Sequence, residues 1–297
     1  MKIPPIVIIF LVLGALLVSS PLTAQSKRIP IQNRGSDSMA IAVAAWSEAY
    51  QKVDKQVGVA VSGGGSGTGI AAMINSLVDI ANSSRPLFKK EVRMAKEAGI
   101  DLRQYVVGYD AVAVYLNQDN PIQSLSFAQL GEIFGRGGSA TRWTDLGIEV
   151  PGCKDQQIVL VSRQNSSGTY VYFRKLAIGK RYRNKFRTGV LSMQSSKDLV
   201  ELVAKTPCAI GYSSFAYANP GVKVACIAKE TGGSCVKPSI EGIIEKKYPM
   251  TRPLHMYTNG QPGGEIKKYI DWVLSDEGQC VLSERLYAPI RKLSCRD

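Results

Sequence analysis

Short β-branched runs alternate with helix-like segments along the first hundred residues, and polar turns join the two kinds of segment. Residues 29–32, 57–61 and 79–81 are typical of strands, because each is a short apolar run bounded by polar residues. Apolar side chains at helical spacing predict a helix after each of the first two strands: Met39, Val43, Trp46 and Tyr50 on the first helix, and Ile70, Met73, Ile74 and Leu77 on the second. This alternation predicts an α/β fold with polar turns at the strand ends.

The rest of the chain repeats the alternation after one unusually long extended segment. Residues 105–116 form a β-rich run that is long enough to pass from one lobe to another. The later predicted elements are a helix over residues 127–134, a strand over 158–161, a helix through Val171, Phe173 and Leu176, an extended segment over 247–254 and one helix over 264–286. Two crossings between two α/β units predict hinged lobes, lobe 1 being residues 25–112 with 250–297 and lobe 2 residues 113–249.

Residues 1–24 are predicted to be a secretory signal peptide rather than part of the fold. Lys2 precedes a long apolar stretch, and small residues near Ala24 mark the cleavage region. An uncleaved membrane anchor is the alternative interpretation. No cysteine lies at the cleavage region, so the sequence does not indicate a lipid-anchored N-terminus. A periplasmic or secreted protein is therefore expected.

The chain is strongly basic. Its formal net charge is +13, and removal of Lys2 with the signal peptide leaves +12. Such a positive net charge is compatible with binding to nucleic acid, with binding to an acidic surface, or with a general electric field that attracts small anions. Residues 175–187 concentrate the positive charge, and a solvated helix face or loop is the favoured interpretation of that run. The predicted export of the protein argues against a role in binding nucleic acid.

Six cysteines lie in the exported part of the chain: Cys153, Cys208, Cys226, Cys235, Cys280 and Cys295. An even number in an oxidising compartment favours disulfides over metal binding, and no Cys-x-x-Cys pair is present. Spacing alone leaves the connectivity open. Short loops favour Cys226–Cys235 and Cys280–Cys295, which would leave Cys153 with Cys208, and reduced buried thiols are the alternative.

Four turns that follow predicted strands are dense in hydrogen-bond donors. The hydroxyl donors are Ser36, Ser38, Ser66, Thr68, Ser83, Ser84, Ser166, Ser167 and Thr169, and neighbouring glycines expose backbone N–H groups. Arg85 and Arg163 each lie at the edge of such a turn, and a guanidinium suits the oxygens of a tetrahedral anion. Helix N-termini behind the turns also favour anions. The pattern predicts an oxyanion site that needs no metal and no cofactor.

The motifs that carry these donors resemble the substrate-binding proteins of phosphate ABC transporters. They are GSDSM at 35–39, SGGGSGTG at 62–69, VDIANSSRPL at 78–87, WTDLG at 143–147, RQNSSGT at 163–169 and YPM at 248–250. The resemblance covers nearly the whole mature chain in the same order. It implies a type II periplasmic-binding-protein fold, in which two lobes with mixed sheets flanked by helices are joined by a two-strand hinge.

The resemblance also implies a ligand, a set of contacts and a partner. Inorganic phosphate would be bound by Ser36, Ser38, Met39, Ser66, Gly67, Ser84, Arg85, Arg163, Ser167, Gly168 and Thr169. Of these, Ser38 and Met39 would donate from the first helix, Ser66 and Gly67 from the second, and the last four from the other lobe. A monomer would then deliver phosphate to the inner-membrane permease subunits.

One position departs from the pattern of the family. The best-known members have an aspartate where this chain has Ser84, and that aspartate accepts the proton of hydrogen phosphate and rejects fully ionised sulfate. Ser84 followed by Arg85 is a variant that resembles other phosphate-binding relatives. Asp37 is an alternative acceptor, although a helix cap is its favoured role. Binding of an oxyanion is therefore predicted more firmly than preference for phosphate over sulfate or arsenate.

Two other classes of function compete with transport. A phosphatase would have to use His255, which lies between apolar residues where a structural role is favoured, and Asp110 and Asp145 are isolated carboxylates. The sequence shows no His/Asp cluster for a two-metal hydrolase. A phosphate-responsive envelope or adhesion protein is the second alternative, with the basic surface at residues 180–187 as its contact.

Overall fold

The structure is a computed structural model that describes residues 28–295. The predicted signal peptide, with its cleavage site near Ala24, lies outside these residues. In chain order the strands are β1 (Ile29–Gly35), β2 (Val57–Ser62), β3 (Ile80–Ser83), β4 (Leu102–Asn117), β5 (Ser124–Ser126), β6 (Val159–Arg163), β7 (Leu191–Met193), β8 (Ala209–Ser214), β9 (Val222–Val224), β10 (Cys226–Ala228), β11 (Cys235–Val236) and β12 (Thr251–Asn259). The helices are α1 (Ala40–Val53), α2 (Ser66–Ile74), α3 (Lys89–Glu97), α4 (Phe127–Phe134), α5 (Gly168–Phe173), α6 (Ser196–Lys205), α7 (Ile240–Ile244), α8 (Gly264–Leu274) and α9 (Asp276–Ser283).

The long strand β4 belongs to both halves of the main sheet. Its first part pairs antiparallel with β12, where Asp110 lies opposite Arg252. Its second part pairs antiparallel with β8 and β9. The strand order is β2-β1-β3-β12-β4-β8-β6-β7, so the sheet continues from one lobe into the other along β4, and β12 carries the returning chain beside it. The predicted two-strand connection is confirmed.

Each lobe has its own apolar core. In the first lobe, α1 packs against α8, and the rings of Tyr50 and Tyr269 lie 5.1 Å apart. In the second lobe, α4 and α5 cover the sheet, and the Phe173 ring stacks on Tyr212 at 3.7 Å. The lobes therefore do not share one core, which is the mixed α/β, two-lobed architecture that the sequence predicts. The boundaries at residues 112/113 and 249/250 stay a prediction.

The helix predictions need two corrections. Leu77 is not on α2, because the chain turns at Ser76, whose φ is +55°, and Leu77 is 68% exposed. The single helix predicted over residues 264–286 is two helices. Ser275 separates them and caps α9 by accepting a hydrogen bond from the Gly278 amide. Periodicity missed this break because the apolar side chains of both helices face the same core.

The favoured cysteine pairing is confirmed. Cys153 is bonded to Cys208, Cys226 to Cys235 and Cys280 to Cys295, which leaves no free thiol among the described residues. The first bond closes the longest of the three loops, and the last ties the C-terminal segment to α9. All three are of the kind expected for an exported protein.

The basic run of residues 175–187 lies mainly in solvent, as the sequence analysis favoured. Lys175, Lys180, Arg181, Arg183 and Lys185 are exposed. Arg181 pairs with Glu132, so the positive charge of the run is partly offset. Within residues 28–295, none of the helices combines the length and the apolar character that crossing a bilayer requires.

Candidate functional site

The first group of donors follows β1. Gly35, at the end of this strand, has a φ of +146°, and a Cβ there would lie 2.2 Å from the Asn82 carbonyl oxygen. Only glycine fits this approach to β3. The chain then forms a short 3₁₀ turn over Asp37–Met39 before α1 begins. Ser36 and Ser38 are therefore buried at the carboxyl end of β1.

The second group lies at the start of α2 and at the end of β3. Gly65 precedes α2 with a φ of +100°, a conformation that lets the chain turn sharply into the helix. Ser66 is the first residue of α2, and its Oγ accepts a hydrogen bond from the Ser84 amide at 3.1 Å. Ser66 and Ser84 are both completely buried.

The third group belongs to the second lobe. Strand β6 ends at Arg163, and the loop that follows leads to Ser167, the N-cap of α5. The Ser167 Oγ accepts hydrogen bonds from the amides of Thr169 and Tyr170 at 3.2 and 3.4 Å. Its own hydroxyl hydrogen remains available to an acceptor. Ser167, Gly168 and Thr169 are all buried.

Five hydroxyl groups from these turns meet in one place, and we call them the hydroxyl cluster: Ser36, Ser38, Ser66, Ser84 and Thr169. The Ser36 Oγ donates to the Ser84 Oγ at 2.8 Å, and the Ser66 Oγ lies 3.3 Å from the same atom. Between the lobes, the Ser38 Oγ lies 2.5 Å from the Thr169 Oγ1. The cluster therefore joins side chains that are up to 133 positions apart along the chain.

Gly168 allows the two lobes to approach this closely. A Cβ at this position would lie 2.5 Å from both the Ser66 Oγ and the Ser84 Oγ. Such a contact is well inside van der Waals range, so any side chain here would push the hydroxyls apart. Gly168 thus places the start of α5 directly against the first-lobe donors.

The two remaining predicted backbone donors are engaged within the protein. The Gly67 amide donates to the Ser166 carbonyl across the lobes at 2.9 Å, and the Met39 amide donates to the Ser36 carbonyl at 3.0 Å. Met39 itself is fully buried. The structure brings both residues beside the hydroxyl cluster, and their donation to a ligand stays a prediction.

Arg163 is 1% exposed and bridges the lobes. Its Nη2 donates to the Asp37 Oδ2 at 2.9 Å, and its Nη1 donates to the Ser196 Oγ at 2.5 Å. Burial lowers the pKa of Arg163, and the Asp37 charge opposes that shift. The cap role favoured for Asp37 is wrong, because its carboxylate accepts from Arg163 and from the Ser196 amide instead of from its own helix.

Arg85 is buried at the edge of the hydroxyl cluster but is held by its own lobe. Its Nη1 and Nη2 donate to the two carboxylate oxygens of Glu91 at 2.8 and 2.6 Å. Its guanidinium also lies 3.8 Å from the centre of the Phe88 ring. The paired carboxylate neutralises this charge, so a direct contact of Arg85 with an anion stays a prediction.

Arg252 also belongs to the site, although its place there was not predicted from the sequence. This side chain is 1% exposed and reaches the hydroxyl cluster from β12, where its Nη2 donates to the Thr169 Oγ1 at 2.9 Å. Its Nε and Nη2 also donate to the Asp110 Oδ2, at 3.0 and 2.7 Å. The available signal was a pair of opposite charges, Asp110 in one crossing segment and Arg252 in the other.

The Arg252–Asp110 pair fixes the direction of a hydrogen bond in the site. A guanidinium can only donate, so Thr169 accepts from Arg252 and its own hydroxyl hydrogen points elsewhere. Burial raises the pKa of Asp110, while the charge of Arg252 and a hydrogen bond from Ser214 oppose that change. Thr169 thereby keeps its own hydroxyl hydrogen free to donate to another acceptor.

His255, the sole histidine of the sequence, does not belong to this site as a base. It lies on β12, is 3% exposed, and neither ring nitrogen has a hydrogen-bond partner. Burial lowers the pKa of His255 to about 4, so the ring is neutral near pH 7. No group of three or more potential metal ligands among His, Cys, Asp and Glu occurs in the part of the chain that the structure describes.

Comparison with known proteins places this geometry in a family. Residues 20–277 match the model of the PBP superfamily domain. The phosphate-binding protein PstS of Bacillus subtilis is 31% identical over 257 residues, which cover 86% of this chain and 79% of that protein. The phosphate-binding protein PstS of Pseudomonas aeruginosa is 29% identical over 271 residues, covering 86% of this chain and 81% of that one.

Solved structures agree with these relatives. A protein from Clostridium perfringens, described as a phosphate ABC transporter substrate-binding protein with bound phosphate, matches with a TM-score of 0.77 and 26% identity, over 89% of this chain and all of that one. An ABC-type phosphate transport receptor from Vibrio cholerae matches with a TM-score of 0.66 and 27% identity, over 87% and 99%. The chain therefore belongs to the PBP superfamily, in the family that includes the phosphate-binding proteins PstS.

Proposed function

We propose that this protein captures inorganic phosphate between its lobes and delivers it to an ABC permease. The observation that carries the proposal is the inter-lobe contact between Ser38 and Thr169, because it brings hydroxyl donors of both lobes to one point. An anion that accepts hydrogen bonds from both sides stabilises the closed arrangement over an open one. The names of the relatives and the bound phosphate in a structural neighbour support this ligand.

The chemistry of the site suits an anion held by neutral donors. Arg163 is paired with Asp37 and Arg252 with Asp110, so these two pairs add no net charge. Hydrogen bonds from hydroxyl and amide groups then carry the affinity, and bonds to a charged acceptor are stronger than bonds between neutral groups. The positive charge of the whole chain acts earlier, by attracting anions toward the cleft.

The proposed activity is binding without turnover, outside the cytoplasm, by a monomer. A phosphatase would need a base near the bound anion, and His255 is buried without a partner and holds a low pKa. Hydrolysis of a chromogenic phosphate ester by the wild-type protein, lost in Arg163→Ala, would favour the enzyme instead. Recovery of permease subunits in a pull-down is expected, whereas recovery of envelope components alone would favour an adhesion role.

Titration calorimetry with phosphate, sulfate and arsenate at pH 7 tests the proposal. We expect heat with phosphate, and Thr169→Val should weaken binding by about tenfold to a hundredfold, because the anion loses a donor and Arg252 loses one of its acceptors. Thr188→Val, at an exposed position, is the matched control and should bind like the wild type. No heat and no thermal shift with any of the three anions would refute oxyanion binding.

A further inference from the structure

A cleft of about 510 Å³ lies between the lobes and shares Ser84 with the hydroxyl cluster. Residues 84–88 of the first lobe line one side, and residues 171, 172, 175 and 176 of the second lobe line the other. Arg252 and Pro253 of β12 complete the lining. Since Ser84 belongs to both the cluster and the lining of the cleft, the cleft reaches the cluster at this residue. A free phosphate ion would fill only a small part of this volume, which is of the size that holds organic ligands.

The cleft has apolar walls. Leu87 and Phe88 line it from the first lobe, and Val171, Tyr172 and Leu176 line it from the second. Phe88 is 43% exposed and Leu176 is 37% exposed, so large apolar side chains of both lobes face solvent around the same opening. Exposed apolar groups that converge on one cleft indicate a ligand or partner with carbon groups.

Two buried guanidinium nitrogens in the cleft walls lack partners. The Nη1 of Arg252 and the Nε of Arg85 have no hydrogen-bond acceptor, although these two side chains are only 1% and 4% exposed. An unpaired buried donor is costly, and the large majority of buried polar groups in native proteins have a hydrogen-bond partner. Both residues line the cleft, which supplies a polar edge beside the apolar walls.

The charged side chains that line the cleft are all cationic, and Lys175 supplies positive charge beyond the two arginine–carboxylate pairs. Arg85, Lys175 and Arg252 line it, whereas no Asp or Glu does so within the described part of the chain. Glu91 and Asp110 pair with the two arginines from outside the lining. Lys175 is exposed. A ligand that carries negative charge and carbon groups together matches this lining.

We propose that the cleft holds the organic substituent of a phosphonate or a phosphate monoester whose oxyanion end is bound by the hydroxyl cluster. The inference rests on the proposed oxyanion-binding function and widens its substrate class. A serine at position 84 is consistent with this ligand. The phosphorus-bound oxygen or carbon that carries the substituent has no acidic proton, so this part of the ligand needs no carboxylate as an acceptor. The substituent would leave the cluster at Ser84 and contact Val171 and Leu176.

Calorimetry with phosphate, methylphosphonate and butylphosphonate tests this inference. Phosphonates cannot be hydrolysed to free phosphate by simple ester cleavage, so any heat comes from the intact ligand. We expect butylphosphonate to bind about tenfold more tightly than methylphosphonate, because its added methylene groups become partly buried in the cleft. Phosphate binding together with equal or weaker binding of butylphosphonate than of methylphosphonate would overturn the inference alone. Failure of all three ligands to bind would overturn the proposed function as well.

Two variants locate the effect. Val171→Trp fills the cleft. It should remove the tenfold gain in affinity of butylphosphonate over methylphosphonate, while phosphate still binds. Leu176→Ala removes part of the apolar wall at a half-exposed position, so it should fold normally and reduce the gain about threefold. Leu77→Ala, at a position 68% exposed and outside the cleft, is the matched control and should leave the gain unchanged. An unchanged gain in Leu176→Ala and Val171→Trp would contradict the proposed location.

Discussion

At the scale of single residues, Ser84 decides what kind of acceptor the site offers. It is completely buried, and its Oγ accepts from the Ser36 hydroxyl at 2.8 Å. The Asp37 carboxylate is occupied by Arg163 and by the Ser196 amide. Ser84 therefore contributes a hydroxyl acceptor within the cluster rather than a carboxylate, and this acceptor discriminates weakly because it can also donate.

Replacement of Ser84 by Asp should sharpen selectivity. A carboxylate at this position accepts a proton from hydrogen phosphate and repels sulfate, so the ratio of phosphate to sulfate affinity should rise at least tenfold. Competition calorimetry at pH 7 measures that ratio. Ser139→Asp, in an exposed loop, is the control and should leave it unchanged. A ratio that stays the same in Ser84→Asp would mean that this side chain does not face the ligand.

His255 predicts how stability depends on pH. Its pKa is lowered from 6.5 to about 4 by burial, so the unfolded chain binds more protons between these values. The free energy of unfolding should therefore fall as the pH drops from about 7 to 4, by about 3 kcal/mol from this residue. Urea unfolding of the wild type and of His255→Phe should show this loss in the wild type alone. Equal acid sensitivity in both proteins would contradict it.

At the scale of elements, the pair of strands β4 and β12 does more than connect the lobes. Asp110 and Arg252 lie opposite each other in the register of these strands, and Arg252 also contacts Thr169 at the start of α5. The connection between the lobes is thus tied to the binding site by one side chain. The ion pair is fully buried, which makes each partner depend on the other.

Arg252→Gln should lower the free energy of unfolding by about 3–5 kcal/mol, because Asp110 is left buried without its counter-charge. The double variant Asp110→Asn/Arg252→Gln should recover a large part of that loss, since no isolated charge remains. Arg103→Gln is a matched control on β4, where an arginine pairs with Asp101 in solvent, and should cost about 1 kcal/mol or less. Chemical unfolding monitored by tryptophan fluorescence measures all three. A double variant that loses as much free energy of unfolding as the two single variants together would show that Asp110 and Arg252 are not coupled.

At the scale of the whole molecule, the lobes hold each other by a few polar contacts. Asp37 of the first lobe accepts from Arg163 and the Ser196 amide of the second, and the Tyr217 hydroxyl donates to the Asp37 carbonyl. The main apolar clusters of the two lobes share no buried residue. Polar contacts of this kind can exchange with water and with a ligand, which suits a protein that opens and closes.

Asp37→Ala should shift the ligand-free protein toward an open arrangement, because it removes the carboxylate that joins the lobes. Small-angle X-ray scattering should give a larger radius of gyration for this variant than for the wild type, and phosphate should reverse the difference. Asp198→Ala, exposed near the start of α6, is the control and should scatter like the wild type. An unchanged radius in Asp37→Ala would mean that other contacts hold the lobes together.

Much of the fold follows from local patterns in the chain. Alternating apolar runs predict the strands and helices that meet at the site, because burial of one face imposes a period on the sequence. Donor-rich turns also reveal which strand ends carry the chemistry. The break at Ser275 between α8 and α9 was not predicted, because the helical spacing of apolar residues continues across it.

The α/β elements, the crossing segments and the donor turns are written in local residue order, since each depends on neighbours along the chain. Which donors already have partners follows from contacts that form when the chain folds. Asp37 looked like a cap and pairs with Arg163, Arg85 is held by Glu91, and Arg252 reaches Thr169 from a distant strand. These outcomes depend on side chains far apart in sequence, whose charges must be paired once burial removes them from water.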